Sequence, residues 1–224
     1  MTADTGALME ARTAILNLRT FLAVAALWLA APFSHADEAS APDAAAAPVA
    51  VLHEALLENM QAGDERTFDA RYQAIGRVLQ ETFDFNTISR VVTGSFWREF
   101  DDAQKLAFMT AFAKLSAATY ADRFDTYKGE VFRTLAIEPQ RRGAMVRTEI
   151  IKGSGETVPL DYLVQPTDTG YRIINVIADG VSDLSVKRAE YTGTLRTSGL
   201  QELIDSIDAK RASLENPAKP ADTK

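Results

Sequence analysis

MVRTEIIKGSGETVPLDYLVQPTDTGYRIINVIA, residues 145–178, is the stretch that decides the fold class. From Met145 to Ile151 the residues Val146, Thr148 and Ile150 alternate with Met145, Arg147 and Glu149. That period of two sends successive side chains to opposite faces of a strand. Gly153-Ser154-Gly155 then carries the composition of a hairpin turn, and Leu160, Tyr162 and Val164 alternate in the next run. Thr167-Asp168-Thr169-Gly170 is a second turn. The run Tyr171 to Ala178 is apolar on nearly both faces, which predicts a central strand covered on both sides. An earlier run, about Val131 to Glu138, is predicted to pair with 145–151, which makes the whole an antiparallel meander.

Upstream the period changes to that of a helix. Val51, Leu52, Ala55, Leu56 and Met60 fall on one stripe, closed by Gly63. Phe68, Tyr72, Ile75 and Leu79 mark a second helix over 66–82, and Phe83, Phe85, Ile88, Val91 and Val92 a short third one that stops at Gly94. Asp101 or Asp102 is placed to cap a long helix running to about Tyr127, with Gly129 just beyond. Downstream of the meander two closing helices are predicted, split at Ser198-Gly199. The fold class is therefore α+β: helices, an antiparallel sheet, then helices folding back. A curved sheet with helices across its concave face encloses an apolar cavity. The Ala/Pro-rich residues 37–48 and the tail 215–224 lack large apolar side chains and read as a flexible leader and a disordered tail around a body of residues 49–214.

The N-terminus carries Arg12 and Arg19, an apolar run from Phe21 to Ala31, the breaker Pro32 and then Ser34-His35-Ala36. Basic flank, short apolar core and small-residue site together predict a secretory signal peptide, residues 1–36, cleaved near Ala36. The core is too short for a spanning helix, which needs about 20 apolar residues. Met9 serves this signal as well as Met1 does as a start. The chain has no cysteine and a formal net charge of −7. An exported chain without disulfides must be held by its core. The acidic balance gives no electrostatic footprint for nucleic acid. It also argues against adsorption to anionic lipid surfaces, which recruit clusters of Lys and Arg.

Candidate chemistry is sparse. Beyond the signal segment one histidine remains, His53, on a predicted helix and expected as a partly exposed surface residue. Zinc sites and nucleophile–base pairs built on Cys and His need more than that, so no metal and no cofactor are expected. Carboxylates are the remaining catalytic candidates: Asp161, and Asp179 with Asp183 flanking Gly180-Val181-Ser182. Asp179 reads more simply as a turn residue and Asp183 as the cap of the next helix. Aromatic residues at helical spacing are abundant: Phe96, Trp97 and Phe100, then Phe108, Phe112, Tyr120, Phe124 and Tyr127. Such a stripe builds a core or lines an apolar pocket, and periodicity does not separate the two.

Two stretches carry a resemblance. In residues 90–132 a glycine and an aromatic pair, Gly94, Phe96 and Trp97, precede a helix with Gln104, Phe108 and Phe112 that leads to Tyr127 and Gly129. In residues 171–207 the turn Ile177-x-x-Gly180-Val181-Ser182 is followed by Arg188, Tyr191 and Leu195. Both resemble the MlaC family of periplasmic phospholipid carriers, also described as toluene-tolerance auxiliary transport components. The chain is similar to the hopanoid-associated branch, HpnM, at least as closely as to the phospholipid branch. The resemblance implies an NTF2-like curved sheet and a pocket that shields lipid tails of a phospholipid or a hopanoid. It implies a periplasmic carrier and not an enzyme. Its partners would be an inner-membrane MCE/ABC transporter and an outer-membrane lipoprotein complex. On that reading the lipid-binding candidates are Phe96, Trp97, Phe108, Phe112, Val146, Ile150, Tyr162, Ile173 and Ile177. An adaptor role in an envelope complex, or an NTF2-like enzyme acting on a hydrophobic substrate, are the competing readings.

Overall fold

A computed structural model describes residues 41–215; the predicted signal peptide, the first residues of the predicted leader and the tail from residue 216 lie outside them. Four helices come first: α1 (Ala41–Ala62), α2 (Phe68–Thr82), α3 (Phe85–Thr93) and α4 (Asp102–Arg123). The strands β1 (Val131–Gln140), β2 (Gly143–Ile151), β3 (Thr157–Thr167), β4 (Gly170–Ala178) and the two-residue β5 (Val181–Ser182) follow, and α5 (Asp183–Glu215) closes the chain. The class is α+β, as the change of period predicts. The strands lie in sequence order in one antiparallel sheet. Register slips at Thr134/Ala136 and at Leu163/Val164 mark two bulges, which bend and twist the strands that carry them.

Local chemistry accounts for the helix ends. Thr67 accepts a hydrogen bond from the Ala70 amide, and Asp84 accepts one from the Thr87 amide. Asp101, rather than Asp102, caps α4: its carboxylate takes the Gln104 amide while the Gln104 side chain takes the Asp101 amide, a reciprocal capping box. α4 stops at Arg123, four residues before the expected end. There Asn59 of α1 donates to the Phe124 carbonyl at 2.7 Å and Arg71 of α2 donates to the Ala121 carbonyl at 3.2 Å, which satisfies carbonyls that a longer helix would have paired internally. α5 is broken at Gly199, whose φ of +82° interrupts the helix where the sequence splits it.

The predicted leader is the first correction. Residues 41–48 are the opening two turns of α1. Ala45 and Val49 continue the stripe of Leu52 and Leu56, and all four are fully buried against the sheet. Alanine is the strongest helix former. Packing of this stripe outweighs the cost, about 3 kcal/mol, of carrying Pro48 inside the helix.

Helices cover β4 on both faces, as its composition predicts, although it is not central in the sheet. It pairs with β3 along its length and with β5 over only two residues. Ile173 faces the cluster under α1, while Ile174, on the opposite side of the bulge, joins the cluster formed by α3, α4 and α5. The rest of β4's free edge is partly taken up by the α2–α3 junction, where Phe83 bridges Ile173 and the Asp84 amide donates to the Ile173 carbonyl at 3.0 Å. The far side of β1–β3 carries charge. Arg133 pairs with Glu149, and Arg147 is held between Glu138 and Asp161.

Gly143 marks a close backbone approach within the meander. It closes the two-residue turn from Gln140 with a φ of +105°, and a Cβ there would collide with the Val164 carbonyl of β3. Gly143→Ala combines backbone strain with a backbone clash. Its expected cost is about 3 kcal/mol of stability, read as a lowered urea midpoint. An unchanged midpoint would contradict the close approach.

Candidate functional site

The sheet face that carries Val146 and Tyr162 leaves little room. Cross-strand partners share a face, so Ile137, Val146, Tyr162 and Val176 form one row across it. α1 lies over that row, packing Val49, Leu52 and Leu56 against Val146, Tyr162 and Ile173. His53 belongs to the same helix face, and its burial corrects the expectation of a surface residue. Its ring stacks on Phe132 at 4.1 Å, and its Nε2 shares a hydrogen bond of 3.0 Å with the Tyr162 hydroxyl. Removal from water disfavours the imidazolium and lowers the His53 pKa to about 4. Burial also pushes the Tyr162 phenol well up, so the pair is neutral across the physiological range.

The cavity lies elsewhere, along the free edge of β4. Three consecutive β4 residues line it, Ile174, Asn175 and Val176. Ile174 belongs to the cluster of α3, α4 and α5 and Val176 to the cluster under α1, so the space wraps the strand's edge instead of resting on one face. Leu79 and Phe83 close it from α2, Phe85, Ile88 and Val92 from α3, and Phe112, Ser116 and Tyr120 from α4. Asp183, Leu184 and Lys187 of α5 complete the wall. The space free of atoms, counted out to the solvent opening, is about 440 Å³.

Polar groups are few and mostly engaged. The Asn175 side-chain oxygen Oδ1 accepts from the Ser182 hydroxyl and the Leu184 amide, each at 3.2 Å, and so ties β4 to the start of α5. Ser182, not Asp183, is the cap: its hydroxyl accepts the Ser185 amide at 3.1 Å. Ser116 donates to the Phe112 carbonyl. Tyr120 is partly buried, and its pKa is raised first by burial and then by the nearby Asp183 carboxylate. Lys187 places its ammonium 5.8 Å from the centre of the Tyr191 ring and 3.9 Å from Glu190. The opening thus presents an exposed carboxylate and a cation one helical turn apart, Asp183 and Lys187.

Of the nine lipid-binding candidates, Phe112 lines this cavity. Trp97 and Phe108 are buried in the cluster between α3, α4 and α5, with Phe96 packed against it. Val146, Tyr162 and Ile173 lie under α1, and Ile150 is partly buried farther along the same face. Ile177 falls on the opposite face, in register with Asp161. The carboxylate candidates are dispersed. Asp161 is ion-paired to Arg147 at 2.6 Å on the charged face, Asp179 is an exposed turn residue with φ +49°, and Asp183 alone reaches the cavity. Sequence reading passed over Phe83, Phe85, Ile88, Val92 and Val176 as cavity residues. Their signal was present as a cluster of aromatic and branched residues around the α2–α3 junction, next to Asp84.

An α+β fold with an apolar, sparsely polar cavity at the edge of its sheet defines a protein built to hold a hydrophobic molecule. Residues 51–209 match the family described as MlaC protein, and the chain belongs to that family. Its members are periplasmic, and they carry lipid without transforming it. The fold is also that of the phospholipid-binding protein of Ralstonia solanacearum, solved in complex with a phospholipid. The two share 18% identity and a TM-score of 0.68 over 76% of this chain and 98% of that one. Among the described residues no helix is long and apolar enough to cross a membrane, and no group of three or more His, Asp or Glu is placed to hold a metal ion.

The lowered His53 pKa makes stability pH-dependent. In the unfolded chain the imidazole takes up a proton near pH 6.5, whereas in the folded protein it does so only near pH 4. The contribution of neutral His53 is complete above pH 6.5 and is lost as pH falls towards 4, amounting to up to about 3 kcal/mol. Urea unfolding of the wild type and His53→Gln at pH 7 and pH 4 should show the difference in stability between them shrinking, or reversing, by that order. A difference that is constant with pH would refute it.

Proposed function

We propose that this protein is a periplasmic carrier that shields acyl-chain surface of a phospholipid in the cavity beside β4 and moves the lipid between the inner and outer membranes. The observation that carries this reading is the cavity wall itself: Phe83, Phe85, Ile88, Val92, Phe112 and Val176 converge on one space, and its charged groups, Asp183 and Lys187, both come from α5. Membership of the MlaC family and the likeness in fold to a phospholipid-binding protein support it. The soluble form follows from export through the predicted signal peptide, and the partners from the family: an inner-membrane MCE/ABC transporter and an outer-membrane lipoprotein complex.

The energetics explain the need for a carrier. Exposing an acyl chain to water costs about 0.8 kcal/mol per methylene. Two chains with roughly 30 methylenes would therefore cost on the order of 20 kcal/mol. A wall of apolar side chains replaces the lost lipid neighbours. Lys187, beside the opening, is placed to meet an anionic head group, while Asp183 disfavours a second negative charge close by.

Native mass spectrometry of protein purified from its host envelope should find one phospholipid per chain, and extraction should identify the lipid. A polycyclic triterpenoid in its place would assign the chain to the hopanoid branch. Ser116→Trp, which fills the cavity from α4 without disturbing a core residue, should lower bound lipid at least tenfold while the circular dichroism spectrum is retained. Protein that is lipid-free as isolated and takes up neither supplied phospholipid nor hopanoid would overturn the carrier reading.

A further inference from the structure

Phe85 occupies a position that no other residue shares with it among the described cavities. Its ring lines the space beside β4, a shallow cleft next to Arg172, and a groove between α2 and α4. It packs against Phe83 at 5.9 Å and edge-on against Phe112 at 6.0 Å, partly buried. Phe85 is also the first residue of α3, directly after the cap Asp84. Inside a helix the preceding turn forbids one of the three χ1 rotamers; at the first position α3 itself imposes no such restriction, and the ring is held by its packing on Phe83 and Phe112.

The groove on the far side of that ring is larger than the cavity. The atom-free space there, counted out to solvent, is about 900 Å³ against about 440 Å³ beside β4. Gly76, Met109, Ala113 and Ala117 form its floor, and the small residues let α2 and α4 approach closely, with Ala117 3.6 Å from where a Gly76 Cβ would stand. Arg77 and Lys114 border it, and among the described residues neither makes an ion pair. Long cationic side chains of this kind lay their methylenes along apolar surface and keep their charge in water. Ligand pockets run to about 300–1,000 Å³; the space beside β4 lies at the low end of that range and the groove near its top.

We propose that Phe85 is the partition that sets how many acyl chains the protein carries. Swung out of its present place, the ring joins the cavity to the α2–α4 groove; one chain then lies beside β4 and the second lies in the groove beneath the stems of Arg77 and Lys114. This rests on the carrier reading above and adds to it a two-chain specificity determined by one side chain.

The test compares a single-chain fluorescent fatty acid with a two-chain phosphatidylglycerol, delivered from vesicles, on the wild type, Ala113→Trp and Phe85→Ala. Ala113→Trp fills the groove from α4 and leaves the cavity wall untouched; it should weaken two-chain binding at least tenfold while single-chain binding stays within twofold. Phe85→Ala removes the partition and should speed two-chain loading and release at least tenfold. Should Ala113→Trp fail to fold, Ala113→Leu gives the same selective loss to a smaller degree. Two-chain binding within twofold of wild type in the groove-filled variant, or equal loss of both ligands, overturns the partition. A wild-type protein that binds neither ligand overturns the carrier reading itself and removes the basis for the partition with it.

Discussion

The packing of α1 on the sheet is the contact from which the rest of this structure follows. An antiparallel sheet with one apolar face must bury it, and here Ala45, Val49, Leu52 and Leu56 do so against Ala144, Val146, Tyr162, Val164 and Ile173. Two polar side chains buried on α1 make specific bonds: His53 with the Tyr162 hydroxyl of the sheet, and the Asn59 amide N–H with the Phe124 carbonyl beyond α4. Such pairs add little net stability but penalise any other register heavily, because a slipped helix would leave them buried and unbonded. α1 is fixed along its own axis as well as against the sheet.

With the inner face occupied, space for a ligand survives only where the sheet runs out. β5 pairs with just the last residues of β4, and the helices that approach from beyond it, α2, α3, α4 and α5, meet at angles that aromatic rings fill incompletely. This position suits a carrier. A permanent empty cavity costs roughly 24 cal/mol per Å³, so 300 Å³ held open would cost about 7 kcal/mol, comparable to the whole stability of a domain. Among interdigitated side chains of a sheet core such space could neither open nor close without breaking the core. At a strand edge walled by helix ends and by rings such as Phe83 and Phe85, it can do both.

Much of this was legible in the sequence. Alternation at 145–151 and 160–164, with glycine turns at 153–155 and 170, fixed the meander, and the stripes at 68–79 and 106–115 fixed the helices. What was not legible has two causes. The start of α1 was hidden because Ala and Pro look like linker; only the sheet surface waiting opposite Ala45 and Val49 makes them core. The cavity was misplaced for the same reason, since leaving out two turns of α1 leaves the inner face apparently open. Ile177 was assigned to the wrong face because the bulge at Leu163/Val164 pairs Val164 with Ile173 and skips Ile174, and a bulge shifts parity without changing composition. Asp179 and the capping role near Asp183 were read nearly correctly, because turn and cap chemistry is local.

The recurrent residues that carry the family resemblance turn out to be mainly architectural. Gln104 completes a capping box, Gly94 ends α3 with φ +62°, Gly180 turns with φ +77°, Ser182 caps α5, and Tyr191 is wedged edge-on between Phe108 and Phe112. They hold the frame, whereas the cavity wall is drawn largely from residues outside those motifs. That division has a physical basis. A cap or a left-handed turn admits one or two residue types, but an apolar wall admits any side chains of the right volume. It also bears on release. Gross burial of two chains, on the order of 20 kcal/mol, exceeds the stability of most domains, so a rigid wall of perfect complementarity would be a trap. A carrier of this kind has to keep its frame fixed and its wall loose, and the free edge of β4 is where this fold separates the two.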